Sequence, residues 1–206
     1  MIFNYTAQDL EALKQKDVKL KAVIEQVGLI ERPINPDLFE SLISSIVAQQ
    51  ISGKAYETVF KRLKMLTNIT PKAILDTPDE AIQACGLSFK KVSYMKYAAE
   101  YFSHTDINQL KSMSNEDLIL VLDDLKGIGR WTAEMLLIFS LNRLDVFSKQ
   151  DLGIKRGISM IYHHKKITDD LMKKYEKRFK PFGSLASLYL WEISSGLYGH
   201  KDYQVK

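Results

Sequence analysis

Apolar residues recur at helical spacing from one end of this chain to the other, and nowhere does the strict alternation of a half-buried strand take over. That restricts the fold to packed helices. "DVKLKAVIEQVG" carries Val18, Leu20, Ala22, Val23 and Val27 before Gly28 stops it, and "DLFESLISSIVAQQIS" opens on Pro36-Asp37 and continues through Leu38, Leu42, Ile46 and Val47. Helices are further predicted over "KAYETVFKRLKML", "TPKAILDT", "PDEAIQAC", "KVSYMKYAAEYFSH" and "SNEDLILVLDDL". In the last, Ser114 ahead of Asp117 has the serine-x-x-acid signature of an N-terminal cap. Then come "WTAEMLLIFSL", the loop "NRLDVFSKQ", "DLGIKRGISMIY", "TDDLMKKYEKRF" and, after Pro181, "GSLASLYLWEISSGLY". No repeat, low-complexity tract or Pro/Gly-rich linker divides the chain. With 206 residues, 46% of them hydrophobic, it can fold as one large domain or as two packed lobes.

The single cysteine, Cys85, excludes a disulfide scaffold, a four-thiolate zinc site and a four-cysteine iron-sulfur cluster within the chain. His104, His163, His164 and His200 lack ligand spacing and are expected at the surface, so no dedicated divalent or zinc site is expected. No run of about eighteen apolar residues is present, and "MIFNYTAQDLEAL" lacks the basic flank and apolar stretch of a signal peptide. The reading is a cytoplasmic protein without a membrane partner. From Lys149 onward there are 12 Lys/Arg against 6 Asp/Glu, whereas residues 1–148 hold 17 against 19. A basic C-terminal part suits a polyanion, and it equally suits a solvated helix face such as "LMKKYEKRFK".

One stretch, "DDLKGIGRWTAEMLL", packs two glycines and a charged pair into a turn and runs straight into an apolar helix. The expected arrangement is a helix ending at Leu125, the turn Lys126-Gly127-Ile128-Gly129, and a second helix from Arg130 or Trp131. Gly127 and Gly129 are expected to allow positive φ and close backbone approach, with Ile128 pinning the helices from inside. The unpaired N–H groups and positive dipole end of the second helix then suit a phosphate, with Lys126 and Arg130 adding charge. An αα-hairpin that needs glycine only for packing is the plainer alternative.

"LKGIGRWTAEMLL" followed by "DVFSKQDLGIKRGI" resembles the helix-hairpin-helix (HhH-GPD) DNA glycosylases, and within them the alkylated-base branch typified by bacterial 3-methyladenine DNA glycosylase II. The resemblance takes in "LFESLISSIVAQQIS", "GLSFKKVSYMKYAA" and "RFKPFGSLASLYLW", roughly residues 18 to 195, without the N-terminal β-rich domain of longer members. It implies an all-α, bilobal unit over residues 1–206. The helix-hairpin-helix spans about residues 115–141, and the N-terminal segment and C-terminal helices form one lobe with the middle helices forming the other. The hairpin is expected on one rim of a cleft between the lobes, with Asp151 at its floor.

An enzyme that cuts an N-glycosidic bond inside duplex DNA must hold the backbone, extrude the nucleotide, fill the gap and bind the base. It must also stabilise a sugar that turns cationic, which calls for a carboxylate opposite the departing base. The resemblance assigns that role to Asp151, 22 residues beyond Gly129; by position alone Asp151 reads as an ordinary helix N-cap. Glu134, the rival carboxylate, is expected to pair with Arg130 at i, i+4. Members that also cleave the backbone carry a nucleophilic lysine where this chain has Trp131, so the expectation is a monofunctional enzyme that leaves an abasic site. Trp131 and Trp191 are expected to line a base pocket whose π faces favour a cationic alkylated purine, with Met135 standing where longer relatives carry tyrosine. Core packing is the alternative for both tryptophans.

Gln50 aligns with the family's gap-filling side chain, Gln49 carrying less of that likeness; a capping amide is the other reading of Gln50. The resemblance also implies phosphate contacts from the amides of Gly127, Gly129 and Thr132. It further implies a monovalent cation (sodium or potassium) on the carbonyls of Asp123, Leu125 and Ile128, with no required cofactor. The expected partner is double-stranded DNA containing damaged bases, met by a monomer. Two other functions fit parts of the pattern. A noncatalytic helix-hairpin-helix clamp would need the glycines but neither Asp151 nor Trp131, and a glycosylase-lyase for oxidised bases would need a lysine at position 131.

Overall fold

The computed structural model describes residues 1–204, and among these the regular structure is helical, with one isolated bridge between Ile2 and Pro33. The chain divides into two compact units, residues 1–34 with 142–204 in the first and residues 35–141 in the second.

In the first unit, α1 (Ala7–Lys16) and α2 (Val18–Val27) meet through Leu10, Leu13, Leu20, Val23 and Ile24. Their junction is fixed by Asp17, which caps α2 by accepting the Leu20 N–H at 2.9 Å and takes the Arg178 guanidinium at 2.5 Å. α11 (Leu152–Tyr162) lies along α13 (Gly183–Ser194), and α12 (Asp169–Phe179) adds Met172, Tyr175 and Phe179 to the same core. α13 is buried nearly all round over Gly183–Leu190, as expected of a helix surrounded by others. The approach of α11 to α13 requires glycine: a Cβ on Gly157 would meet the Leu190 carbonyl oxygen at 2.3 Å, and one on Gly153 would meet Trp191 Cδ1 at 2.7 Å. The incoming loop is tied to the start of α13 by Ser184, whose Oγ accepts the Val146 N–H at 2.9 Å while its own N–H donates to Leu144 O at 2.9 Å.

The second unit is built on α3 (Leu38–Ala48), which buries the predicted Leu38, Leu42, Ile46 and Val47 together with Phe39 and Ile43. α4 (Gly53–Leu66), α5 (Pro71–Asp76), α6 (Asp79–Ala84), α7 (Phe89–Ser103) and α8 (Ile107–Ser112) follow, each of the last three contributing a buried apolar row or anchor. α9 (Asn115–Asp123) and α10 (Arg130–Phe139) form the hairpin. Ser114 caps α9 by accepting the Asp117 N–H, as its spacing predicts.

The structure departs from the sequence reading in several places. α1 and α8 were not anticipated, because each buries so few apolar residues (Leu10 and Leu13; Leu110) that no stripe is visible. α9 stops at Asp123 and not at Leu125, since Leu125 turns into the core as part of the turn. Of the hairpin glycines only Gly127 has positive φ, +83°; Gly129 sits at −104°, an extended conformation open to any residue. His164 and His200 are half-buried. His164 Nε2 lies 2.8 Å from the Tyr175 hydroxyl, and burial together with Lys19, Lys174 and Arg178 pushes its pKa down.

Candidate functional site

The turn of the hairpin is shaped by sterics that its sequence states only in part. Gly127 is required twice over, by its positive φ and because a Cβ there would meet the Tyr94 ring at 2.1 Å. Ile128 is buried and donates its N–H to Leu125 O at 2.9 Å, closing the turn. Gly129 then serves as N-cap of α10, and a glycine N-cap has no side chain to offer the first-turn N–H groups. No atom lies within 4 Å of where its Cβ would be, so the space beside the cap is open. An exposed helix start of this kind attracts an anion through its N–H groups and dipole.

The charges around it are arranged differently from what spacing alone implies. Arg130 gives two hydrogen bonds to Glu116, at 2.9 and 2.8 Å, and a third to Glu134 at 3.2 Å, so the expected i, i+4 pair is present and a second carboxylate joins it. Hydrogen bonding to Glu116 raises the arginine's pKa further. The guanidinium therefore braces α9 against α10, and its charge is largely compensated. Lys126 is exposed, its ammonium 4.6 Å from the centre of the Tyr97 ring. Trp131, in the first turn of α10, is 49% exposed, too open for a core residue, while Thr132 and Met135 are half-buried. Of the three carbonyls expected to meet a monovalent cation, those of Asp123, Leu125 and Ile128, the Leu125 oxygen accepts the Ile128 N–H. Among the described residues no group of three or more His, Cys, Asp or Glu side chains is placed to hold a metal ion.

In the first unit the candidate carboxylate is held with unusual definition. Asp151 is 8% exposed and caps α11; its Oδ1 accepts the Ile154 N–H at 2.8 Å and the Trp191 Nε1–H at 2.9 Å. Two donors on one oxygen, one from the backbone and one from a rigid indole, fix the plane of the carboxyl group. The cap that position alone suggests is thus real, and it is compatible with a chemical role. Trp191, expected in a base pocket, lies against Gly153 and reaches Asp151, so its indole orients the carboxylate. Sequence reasoning missed this link, although Gly153 and Gly157 one turn apart in an apolar helix signal a close partner. Leu152, 80% exposed, stands beside the carboxylate.

Gln50 and Gln49 separate in the structure. Gln50 is exposed, with φ +57°, whereas Gln49 ends α3 and donates its side-chain N–H to Gly127 O at 2.7 Å. The Gln49 amide thus reaches the hairpin turn and not the end of its own helix, whose carbonyls of Val47 and Gln49 accept from the Lys91 ammonium.

Residues 43–181 match the family described as HhH-GPD superfamily base excision DNA repair protein. The chain is 40% identical over 164 residues to DNA-3-methyladenine glycosylase 1 of Schizosaccharomyces pombe, covering 76% of this chain and 72% of the relative. Its structure is similar to a DNA-3-methyladenine glycosidase from Bacillus halodurans, with TM-score 0.88 and 31% identity over 99% of this chain and 96% of the other. It is also similar to the S. pombe 3-methyladenine DNA glycosylase in complex with abasic DNA, with TM-score 0.79 and 34% identity over 95% and 100% of the two chains.

Proposed function

The chain belongs to the HhH-GPD superfamily of base excision DNA repair proteins, and we propose that it is a monofunctional DNA glycosylase acting on alkylated purines, of the 3-methyladenine and 7-methylguanine type, in duplex DNA. The observation that carries this reading is the Asp151 carboxyl group, nearly buried and oriented by the N–H groups of Ile154 and Trp191. A helix cap alone has no need of the second donor.

The chemistry follows from that placement. Alkylation at a ring nitrogen makes the purine cationic, so the base leaves as a neutral molecule carrying the electron pair of the N-glycosidic bond. The sugar is left cationic at C1′, and Asp151 supplies the countercharge. Water then bonds to C1′ and gives its proton to the carboxylate, leaving an abasic sugar. Trp131 has no amine to attack the sugar, which supports hydrolysis without strand cleavage. Its exposed indole suits stacking on an electron-poor base. The open helix start at Gly129, with the amides of Gly127 and Thr132 and the Lys126 ammonium, takes the DNA backbone. Gln50 fills the gap left by the extruded nucleotide, and the hairpin carbonyls take a monovalent cation when DNA is bound.

Asp151→Asn is the decisive substitution, because an asparagine oxygen still accepts both N–H bonds and caps a helix equally well. Release of alkylated purine should fall by roughly a thousandfold with thermal stability and DNA affinity preserved. Retained release by this variant overturns the assignment.

A further inference from the structure

The end of α3 is held by two donors that the chemistry above does not use. Lys91, on α7, points its ammonium at the carbonyls of Val47 and Gln49, at 2.9 and 2.6 Å. These are carbonyls of the last turn and cap of α3, where a cation also meets the negative end of the helix dipole. Burial pushes the lysine's pKa down, the cost of bringing its charge to these carbonyls. The side chain of Gln49 reaches the other way and holds Gly127 O at 2.7 Å, fixing the peptide that joins Gly127 to Ile128 in the hairpin turn. Between these anchors and the Ser52 cap of α4, Gln50 takes a left-handed conformation that a residue with a Cβ rarely adopts. Such conformations persist where the surroundings over-determine them, and they concentrate at functional positions.

We infer that Gln49 and Lys91 are positioning residues that couple the hairpin's grip on the DNA backbone to the insertion of Gln50 into the gap, an inference that rests on the proposed glycosylase function. The Gln49 bond makes the α3–α4 turn and the hairpin one rigid piece. Lys91 keeps the last carbonyls of α3 turned inward, which leaves Gln50 as the residue that projects. Without these ties the phosphate donors would still bind, but Gln50 would be spread over several placements.

The test uses a duplex with a stable abasic-site analogue opposite 2-aminopurine, so that insertion is read by fluorescence without bond cleavage. The wild-type protein should change the fluorescence, and Gln50→Ala should lose that change. Lys91→Met and Gln49→Met should lose it as well, while their affinity for undamaged duplex stays within about twofold. Lys91→Arg, which keeps the donors, should restore it. Single-turnover base release by Lys91→Met should slow by about tenfold to a hundredfold, with little change in KM. Wild-type fluorescence in the Lys91→Met and Gln49→Met proteins overturns the coupling, as does a wild-type protein that produces no change. So does a loss that tracks thermal stability and is not recovered with arginine. Failure of the wild-type protein to release any base from alkylated duplexes counts against the glycosylase reading alone, because the fluorescence needs no chemistry.

Discussion

α10 and α11 both follow a loop and both begin with a non-helical cap, but they use it in opposite ways. α10 starts at Gly129, which contributes no side-chain acceptor and faces open space; α11 starts at Asp151, whose carboxyl group is buried and bonded to Ile154 and Trp191. On the proposed function, the first leaves its helix donors for a phosphate of the DNA. The second satisfies its own internally and thereby aims a carboxylate. On that reading a helix cap in this chain either binds an external anion or presents an internal one, with stability and function separable at the first and fused at the second.

Making α10 begin as α11 does is the sharpest way to break this contrast. Gly129→Asp fits the extended backbone and open space at that position, and aspartate is at least as good a cap as glycine. Its melting temperature should be unchanged or slightly higher, whereas DNA affinity, measured by fluorescence anisotropy, should fall by at least about tenfold, because the new carboxylate occupies the donors and repels phosphate. Unaltered affinity would remove the phosphate clamp from the account. Gly127→Ala should behave conversely: positive φ and the Tyr94 ring make it destabilising by about 1–3 kcal/mol in chemical denaturation, so any loss of affinity there is partly a folding effect.

At α11 the corresponding probe is Trp191→Phe, which keeps an aromatic ring beside Gly153 and removes the N–H donor to Asp151. The rate of base release should drop about tenfold, equivalent to one hydrogen bond to a charged group, with KM and thermal stability little changed. A full rate in Trp191→Phe would mean that the indole merely packs.

The smallest effect lies away from both helix starts. His164 has its pKa lowered, first by burial and then by the positive charges of Lys19, Lys174 and Arg178. The folded protein therefore binds this proton less readily than the unfolded chain. The stability it contributes is fully present above the ordinary histidine value of about 6.5 and is lost as pH falls through and below that value. Melting temperatures between about pH 7.5 and pH 5 should decline for the wild-type protein, and less steeply for His164→Gln. Parallel curves would show that other groups govern the acid limb.

These two helix starts also differ in how far the sequence reveals them. The hairpin is local: the signals of Ser114, Gly127, Ile128 and Gly129 lie within sixteen consecutive residues, and cap and turn preferences act over that range. What locality could not reveal was that Arg130 is committed to Glu116, fourteen positions away, or that Gly127 is squeezed by Tyr94 on another helix. At Asp151 the N-cap was legible, but its orientation depends on Trp191, forty residues later, brought near only because Gly153 and Gly157 admit α13. Gln49 shows the same limit. It reads as one of two adjacent amides until folding places Gly127 beside it and leaves Gln50 outside.

The central claim is hydrolytic removal of an alkylated purine without strand cleavage. It is tested most directly by incubating the wild-type protein with duplexes that each carry one damaged base, 3-methyladenine, 7-methylguanine or a deaminated or oxidised purine, and scoring free base and strand breaks separately. The account predicts free alkylated base with the strand intact until alkali is added. Strand breaks formed without alkali, or release of the oxidised base in place of the alkylated ones, would contradict it.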